Sequence, residues 1–371
     1  MVRILIVGAG IAGLSLARAI EQRGIIPDVV EKQAAWSAGG TGLFLPGNAS
    51  RAFSQLGLLP DIARIAIPIR YQRFLSQDGP ELNAINTESF WSACGPCLAL
   101  SHAEMHSILL SGLNKTSVAM PRSVSHIQSA SDACDVTFED GTTERYDLVV
   151  GADGVRSRVR DFAFPSVTPV YAGYICWRFL TGNTGGVDSW TAMIGQRQTL
   201  LAIPVSPSMV YVYADRSVSL DATRQYSDTT SLERLFSGFS GSLVSLVKTA
   251  PPETKVHFSH IETVPSGTWR RDRIVLIGDA AHASSPSMAE GAGLACEDAL
   301  VLAELLSKNV AIDVALEGFV QRRERRVAWV QKQCAARDRM RTLPTFVSGS
   351  LLKYFGTALY KKSYTPLLAS I

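Results

Sequence analysis

The chain has 371 residues, of which 46% are hydrophobic and 19% are charged. This balance is typical of a globular protein with a large core, and it excludes a disordered or fibrous chain. The net charge of +3 is small, and no dense basic run alternates with aromatic residues, which excludes a typical nucleic-acid partner.

The first elements form a strand–turn–helix–strand unit. Residues 3–8 are a continuous apolar run, as expected of a parallel strand that is buried on both faces. An apolar helix follows over residues 14–20, and residues 27–31 form a second strand. This opening predicts a dinucleotide-binding fold.

Three glycines in the first turn have separate roles. Gly8 permits the tight turn, Gly10 lets the backbone approach a pyrophosphate, and Gly13 lets the helix pack closely on the strand. Glu31 stands 18 residues beyond Gly13, within the usual reach of an acid that hydrogen-bonds an adenosine ribose. The dinucleotide site predicted from this unit consists of Gly8, Gly10, Ile11, Ala12, Gly13 and Glu31.

The six cysteines are scattered along the chain, as in a reduced intracellular protein. Glycines interrupt the apolar N-terminus where a signal peptide would be continuous, and no apolar run reaches the length of a membrane span. We therefore expect a cytoplasmic protein. Cys94 and Cys97 have the C-x-x-C spacing of a redox pair, but residues 98–100 predict a strand and not the helix N-terminus that such chemistry requires.

Two histidines, His102 and His106, are spaced i,i+4 on a predicted helix. A zinc-protease helix carries glutamate directly after its first histidine, whereas Glu104 stands two places on. No third ligand is evident, so no metal site is predicted, and His106 is expected on a solvated helix face.

A second ligand-binding segment follows a buried strand over residues 273–277. Gly278 permits close approach of a ligand, and Asp279 supplies an acceptor at the carboxyl end of the strand, where ligands bind in such folds. The alternative for Asp279 is an ordinary helix N-cap. A long helix then opens, with a positive N-terminus that suits an anion. Its first turn carries Gly291, Ala292 and Gly293.

With Asp153-Gly154 in mid-chain and Gly278 to Pro286 late, the motifs resemble those of the single-component, FAD-dependent (group A) aromatic monooxygenases of the p-hydroxybenzoate hydroxylase-like class. The resemblance spans about residues 1–330. It implies that Asp279 binds a ribityl hydroxyl of FAD, that Pro286 lies beside the isoalloxazine, and that Asp153 has a structural and pyridine-nucleotide-related role. It also adds Lys32 and Val124 to the residues that bind the cofactor.

The chain departs from the family pattern at two places. His102 stands where relatives carry an arginine near the flavin and its phosphates. Histidine reaches less far and is only partly charged near neutrality, which predicts weaker FAD binding. Ala289-Glu290 replace the usual Gly-Gln before Gly291, which predicts a stiffer and more acidic loop.

The predicted fold is α/β: a Rossmann-like FAD-binding domain, an inserted antiparallel β-sheet substrate domain and C-terminal helices. Aromatic and β-branched residues alternate with polar ones between residues 171 and 213, which is typical of an antiparallel sheet. The predicted boundaries are 1–68, 98–168 and 256–335 for the FAD-binding domain, 69–97 and 169–255 for the substrate domain, and 336–371 for the C-terminal segment.

The resemblance implies that NADH or NADPH reduces non-covalently bound FAD, that O2 forms a flavin C4a-hydroperoxide, and that this hydroxylates an aromatic or conjugated enol substrate. The predicted substrate wall consists of Tyr174, Trp177, Arg178, Tyr211 and Tyr213, with Pro286 and Arg178 nearest the reaction. Alternatively, the aromatic residues are core residues of the sheet. A non-catalytic flavoprotein, an oxidase and a halogenase remain alternatives, although the W-x-W-x-I-P segment of halogenases is absent. The oligomeric state is open.

Overall fold

The computed structural model describes residues 2–36, 40–248, 250–251, 253–265, 267 and 269–371. The strands are β1 (Ile4–Val7), β2 (Asp28–Val30), β3 (Gly42–Leu45), β4 (Ile67–Pro68), β5 (Tyr71–Ser76), β6 (Glu81–Asn86), β7 (Leu98–Ser101), β8 (Val118–Ala119), β9 (Val124–Ser129), β10 (Cys134–Phe138), β11 (Thr143–Tyr146), β12 (Leu148–Gly151), β13 (Val170–Gly182), β14 (Trp190–Gly195), β15 (Gln198–Pro204), β16 (Met209–Ser217), β17 (His257–Thr263), β18 (Arg270–Arg271) and β19 (Ile274–Leu276).

The helices are α1 (Ile11–Glu21), α2 (Gly47–Gln55), α3 (Leu59–Ile65), α4 (Thr87–Trp91), α5 (His102–Ser111), α6 (Arg158–Ala163), α7 (Leu232–Leu235), α8 (Ser242–Lys248), α9 (Asp279–His282), α10 (Gly291–Leu306), α11 (Ile312–Met340) and α12 (Thr345–Tyr364). Short 3₁₀ turns span Asp221–Gln225, Pro286–Met288 and Thr365–Leu368. None of the described helices is long and apolar enough to cross a membrane.

A mostly parallel sheet carries the dinucleotide motif. Its strand order in the described residues is β18-β19-β12-β1-β2-β8, and only β18 runs antiparallel. The side chains of β1 are buried on both faces, which explains the continuous apolar run. Val7 pairs with Val30 and Gly151, and Gly151 pairs with Leu276. The first turn, Glu31, the Asp153 segment and Gly278 therefore all follow strands at one edge of this sheet.

A second, larger sheet has the order β17-β13-β16-β15-β14-β5-β6 in the described residues. All its pairs are antiparallel except β14 with β5. The strand over His257–Thr263 pairs with β13, although the predicted boundary at 256 assigned it to the FAD-binding domain. We therefore place that boundary after Thr263. The α/β fold class, with a Rossmann-like sheet and an inserted antiparallel sheet, is confirmed.

The seven-stranded sheet has two different faces, because successive side chains of a strand point in opposite directions. One face packs on α7 and α8 through a separate apolar core that includes Trp177 and Phe236. The other face joins the main core, to which it contributes Cys176, Tyr211 and Tyr213. This second face is the one that meets the Rossmann-like domain.

Two arginines bind the C-terminal residues to the Rossmann-like domain through hydrogen bonds. Arg51 of α2 donates to the carbonyl oxygens of Leu367, Leu368 and Ala369, at 3.1, 2.7 and 2.6 Å. Arg326 of α11 donates to the Leu367 carbonyl oxygen at 3.1 Å. The last residues therefore close over α2 and α11.

Candidate active site

The first turn has the shape that a pyrophosphate site requires. Gly8 has φ of +104°, and a Cβ there would lie 2.5 Å from the carbonyl oxygen of Ala152. A Cβ on Gly13 would lie 1.9 Å from the Gly8 carbonyl oxygen, so α1 packs directly on the turn. Among the described residues outside the adjoining chain, no atom lies within 4 Å of the Cβ position of Gly10. The N-terminus of α1, with Ile11 and Ala12, is thus open to a phosphate group.

Glu31 and a histidine hold this turn from two sides. Glu31 Oε2 accepts from the Ala9 backbone N–H at 3.0 Å, and Oε1 accepts from that of Gln33 at 2.9 Å. His106 Nε2 lies 2.9 Å from the Ala9 carbonyl oxygen, and its ring lies 4.6 Å from the Trp36 ring. The expectation of a solvated His106 is therefore wrong. The i,i+4 spacing places His102 and His106 on the same face of α5.

His102 is the first residue of α5, whose N-terminus is fixed by a capping box between Ser101 and Glu104. Burial lowers the pKa of His102, and His106 and Arg178 add to this effect. His102 is therefore neutral at pH 7. No group of three or more His, Cys, Asp or Glu side chains suited to a metal occurs in the described part of the chain.

The late motif brings a carboxylate to the edge of the parallel sheet. Gly278 has φ of +58°, and a Cβ there would lie 2.8 Å from Ala12 Cβ. Asp279 is exposed. Desolvation by the surrounding protein raises the pKa of its side chain, and His282 partly offsets this rise. Behind it, Asp298 Oδ2 accepts from the Gly278 N–H at 2.9 Å and lies 2.6 Å from His282 Nε2.

A buried ionic network supports this turn from α10 and α11. Arg323 donates to Asp298 Oδ1 at 2.7 Å and to Glu297 Oε2 at 2.8 Å. Arg326 contacts both oxygens of Glu297 at 2.7 Å. Burial alone would raise the pKa of Asp298, but His282 and Arg323 outweigh it and lower that pKa to about 2. The carboxylate that holds Gly278 is therefore ionised.

The loop before α10 differs from the acidic loop expected from the sequence. Pro286 is exposed at the start of its 3₁₀ turn, and Ala289 has φ of +53°. Glu290 is 2% exposed, and burial raises its pKa to about 8. The raised pKa favours the neutral form of Glu290, which adds no negative charge to the α10 N-terminus at Gly291. The next residues, Ala292 and Gly293, complete the first turn of α10.

The mid-chain motif holds the N-terminus of α6 through hydrogen bonds. Asp153 accepts from the backbone N–H groups of Arg158 and Val159 at 2.7 and 3.2 Å, and from Ser157 Oγ. Arg160 is 1% exposed and donates to three carbonyl oxygens, among them that of Ala280 at 3.1 Å. Both Asp153 oxygens are occupied in capping α6, which leaves a structural role for this residue.

Lys32 and Val124 lie in different surroundings. Lys32 is exposed directly after Glu31. Val124 is 3% exposed and begins β9, where it pairs with Phe138. Its side chain is part of the core, so any contact with a ligand would involve its backbone.

The predicted substrate wall divides between the two faces of the seven-stranded sheet. Arg178 shares the face of Tyr211 and Tyr213, since it pairs with Tyr213 on β16. Trp177 points to the opposite face, where it is fully buried against Phe258 and donates to the Ser227 carbonyl oxygen at 2.7 Å. Trp177 is therefore a core residue and does not face the Rossmann-like domain.

The buried tyrosines of the predicted substrate wall pack against different parts of the protein. Tyr174 is 1% exposed, lies beneath the Arg341 guanidinium and donates to Asp338 Oδ1 at 3.3 Å. Tyr211 packs on β3, because a Cβ on Gly42 would lie 2.5 Å from Tyr211 Cβ. Tyr174 is thus committed to α11, whereas Tyr211 lies between the two domains.

The sequence matches the family model for an FAD binding domain over residues 1–332. It is 34% identical over 334 residues to the 2-heptyl-3-hydroxy-4(1H)-quinolone synthase of Pseudomonas aeruginosa, which covers 89% of this chain and 87% of that one. It is 28% identical over 323 residues to the aurachin C monooxygenase/isomerase of Stigmatella aurantiaca, covering 85% and 83%.

Solved structures share the fold. A Klebsiella pneumoniae protein in complex with FAD and uric acid superposes with a TM-score of 0.82 at 23% identity, covering 99% of this chain and 92% of that one. A Pseudomonas aeruginosa protein in complex with 2-aminobenzoylacetate also gives 0.82, at 20% identity, covering 94% and 99%. The chain therefore belongs to the FAD-binding-domain family and is a single-component FAD-dependent monooxygenase of aromatic or conjugated substrates.

Proposed function

We propose that this monooxygenase hydroxylates a planar fused ring with a ring carbonyl or its enol, of the 4(1H)-quinolone type. NADH or NADPH supplies the electrons and O2 the oxygen atom, as is typical of the family. The Pseudomonas aeruginosa relative is named for a quinolone with a hydroxyl on the carbon beside the ring carbonyl. That carbon is nucleophilic because the ring nitrogen donates electron density to it, and electrophilic oxygen transfer requires such a carbon.

The observation that carries the proposal is the position of Arg178. Its side chain is half-buried on the face of the sheet that meets the Rossmann-like domain. Nη2 donates to Ser259 Oγ at 3.1 Å, and Arg178 forms no ion pair with any described residue. A half-buried cation without a carboxylate partner favours a ligand oxygen with negative character. Tyr211 and Tyr213 beside it suit a planar ring.

We assign FAD to the open edge of the parallel sheet. The α1 N-terminus takes the pyrophosphate, Glu31 and Asp279 accept hydroxyl groups of the cofactor, and the α10 N-terminus faces the flavin. When bound, FAD supplies the redox chemistry and the activated oxygen. The assigned residues are Gly8, Gly10, Ile11, Ala12, Gly13, Glu31, Lys32, His102, Gly278, Asp279, Pro286, Gly291, Ala292 and Gly293.

We leave Asp153, Trp177 and Tyr174 out of direct ligand contact, because their polar groups already have partners inside the protein. We also place the enzyme in the cytoplasm. All six cysteines are free thiols, which is typical of a reducing compartment. Burial raises the pKa of Cys97 to about 12, which argues against redox chemistry at the C-x-x-C pair.

The test is substrate-stimulated oxidation of NADH and NADPH by the FAD-loaded enzyme, with 4(1H)-quinolone and uric acid as the two probes. We expect 4(1H)-quinolone to stimulate oxidation and to give a product heavier by one oxygen atom in mass spectrometry. Stimulation by uric acid alone, or peroxide without any oxygenated product, would contradict the proposed substrate class.

A matched pair of variants locates the substrate. Arg178→Met should raise KM for 4(1H)-quinolone by about tenfold or more, as expected for loss of a charge-assisted hydrogen bond. Arg216→Met removes an arginine from the opposite face, since Arg216 pairs with Ile175, and should leave KM unchanged. Equal KM values in the two variants would show that Arg178 does not bind the substrate.

A further inference from the structure

One buried acid beside the proposed flavin site lacks the partners that an ionised carboxylate needs. Glu290 directly precedes α10 and is 2% exposed. Its Oε2 accepts one hydrogen bond, from Asn48 Nδ2 at 2.8 Å. Its Oε1 is shielded from solvent and has no hydrogen-bond partner among the described residues. A charge in such a place is unfavourable, because one amide hydrogen bond compensates only part of its desolvation.

Asn48, the partner of Glu290, also has a buried oxygen atom without a hydrogen bond to any described residue. Asn48 is fully buried on α2, and its Oδ1 also lacks a partner within the described part of the chain. Amide and carboxylate oxygens both act only as acceptors. A proton on Glu290 therefore adds one hydrogen-bond donor to a pair in which two buried oxygen atoms lack one among the described residues.

Charged groups around Glu290 come from two helices. Burial is the largest influence on its pKa and raises it, and Glu297 of α10 adds to this. The Asn48 hydrogen bond, Arg326 and Arg337 act in the opposite direction. Arg326 is already committed to Glu297, and Arg337 donates to the Ser287 carbonyl oxygen at 3.0 Å. Neither arginine forms an ion pair with Glu290.

The other titratable groups near Glu290 are neutral at physiological pH. Tyr364 of α12 donates its hydroxyl hydrogen to the Met288 carbonyl oxygen at 3.0 Å. Burial raises the pKa of Tyr364 well above its ordinary value. Burial also raises the pKa of Cys97 to about 12. Glu290 is therefore the group in this cluster that changes charge near neutral pH.

We propose that Glu290 holds a proton in the resting enzyme and so keeps the α10 N-terminus free of negative charge when the flavin is reduced. This rests on the proposed function in one respect, since it takes the flavin to lie at that helix end. A negative Glu290 would oppose the anion that two-electron reduction leaves on the flavin, whereas the positive helix end stabilises it. Where Glu290 is ionised in the oxidised enzyme, reduction therefore takes up one further proton from water. Glu290 is a positioning residue for charge, not a catalytic residue.

The test is the midpoint potential of the bound FAD, measured in the FAD-loaded enzyme across the pH range around 8, where Glu290 is expected to titrate. We expect the wild-type potential to fall more steeply with pH above this value than below it. Glu290→Gln, which keeps the hydrogen bond to Asn48, should show one slope throughout. Glu304→Gln is the matched control, because Glu304 lies at the other end of α10 and pairs with Lys308. It should keep the wild-type break.

A single slope in the wild type, or the same break in Glu290→Gln, would overturn the proposal. Loss of the break in Glu304→Gln would also overturn it. Turnover of 4(1H)-quinolone is a separate measurement. If turnover fails while the break depends on Glu290, the substrate assignment is wrong and the proton assignment stands. If turnover succeeds without a break, the proton assignment alone is wrong.

Discussion

Two buried acidic regions, one on helix α10 and one directly before it, have opposite charge states. Glu297 and Asp298 have arginine partners at 2.7–2.8 Å and are ionised. Glu290, directly before the same helix, has one amide partner and is protonated at neutral pH. Glu290 is 2% exposed, and Glu297 and Asp298 are 1% and 0% exposed. The charge of an acid in this core therefore depends on whether a cation is its hydrogen-bonding partner, and not on burial alone.

The largest expected effect comes from breaking the paired region. Arg323→Leu removes the cation between Glu297 and Asp298 and leaves both carboxylates under-compensated. We expect the free energy of unfolding to fall by about 3–5 kcal/mol, as for other buried pairs that lose one partner. Urea denaturation measures this. Arg325→Leu, on the exposed side of α11, is the control, and a comparable loss there would show that the network is not the cause.

The free energy of unfolding should depend on pH in opposite ways in the two regions. Glu290 has a folded-state pKa of about 8 against an ordinary value of 4.5. Its contribution to stability is therefore fully present below about 4.5 and is lost as the pH rises to about 8. Glu290→Gln should gain about 3 kcal/mol in the free energy of unfolding at neutral pH, and nothing at the acid end.

Asp298→Asn should show the opposite dependence. The folded-state pKa of Asp298 is about 2 against an ordinary value of 3.8. Its contribution is present above that ordinary value and is lost as the pH falls towards 2. The variant should therefore be destabilised at neutral pH, with a deficit that shrinks on acidification. Parallel pH curves for the two variants would refute the assigned charge states.

The sequence predicted the turns whose role depends on local backbone geometry. Gly8 has the positive φ of a tight turn, and a Cβ on Gly13 would collide with the Gly8 carbonyl oxygen, as expected of a helix that packs closely on the strand. The charge of Glu290 was not predictable in this way, because its partner Asn48 lies 242 residues away. The same holds for the place of β17 in the larger sheet. The sequence analysis placed both Trp177 and Arg178 in the substrate wall. Adjacent residues of a strand point in opposite directions, so this pattern already indicated that only one of the two can face the site.

A smaller effect concerns FAD affinity. His102 is neutral at pH 7 because burial lowers its pKa, so it contributes no charge to the cofactor. His102→Arg should tighten FAD binding by about 1–2 kcal/mol, the size of one charge-assisted hydrogen bond. Fluorescence titration with FAD measures this. His126→Arg adds the same charge at an exposed position on β9, and an equal gain there would assign the effect to net charge.

The smallest effect concerns the loop before α10. Ala289 has φ of +53°, a conformation that costs a residue with a Cβ about 1–2 kcal/mol. Ala289→Gly should relieve this strain, although glycine loses more entropy on folding, so the net gain is below about 1 kcal/mol. Thermal unfolding measures it. Ala283→Gly, where φ is −45°, should instead lose stability, and a gain in both variants would exclude strain as the reason.

The central claim is that distant segments of the chain form one FAD site, and FAD titration of three folded variants tests it most directly. Gly10→Val fills the open space above the first turn, and Asp279→Ala removes the exposed acceptor of the late motif. Gly238→Val fills equally open space elsewhere. We expect Gly10→Val to abolish FAD binding, Asp279→Ala to weaken it, and Gly238→Val to leave it unchanged. Wild-type FAD affinity in Gly10→Val and Asp279→Ala, with both proteins folded, would contradict the claim.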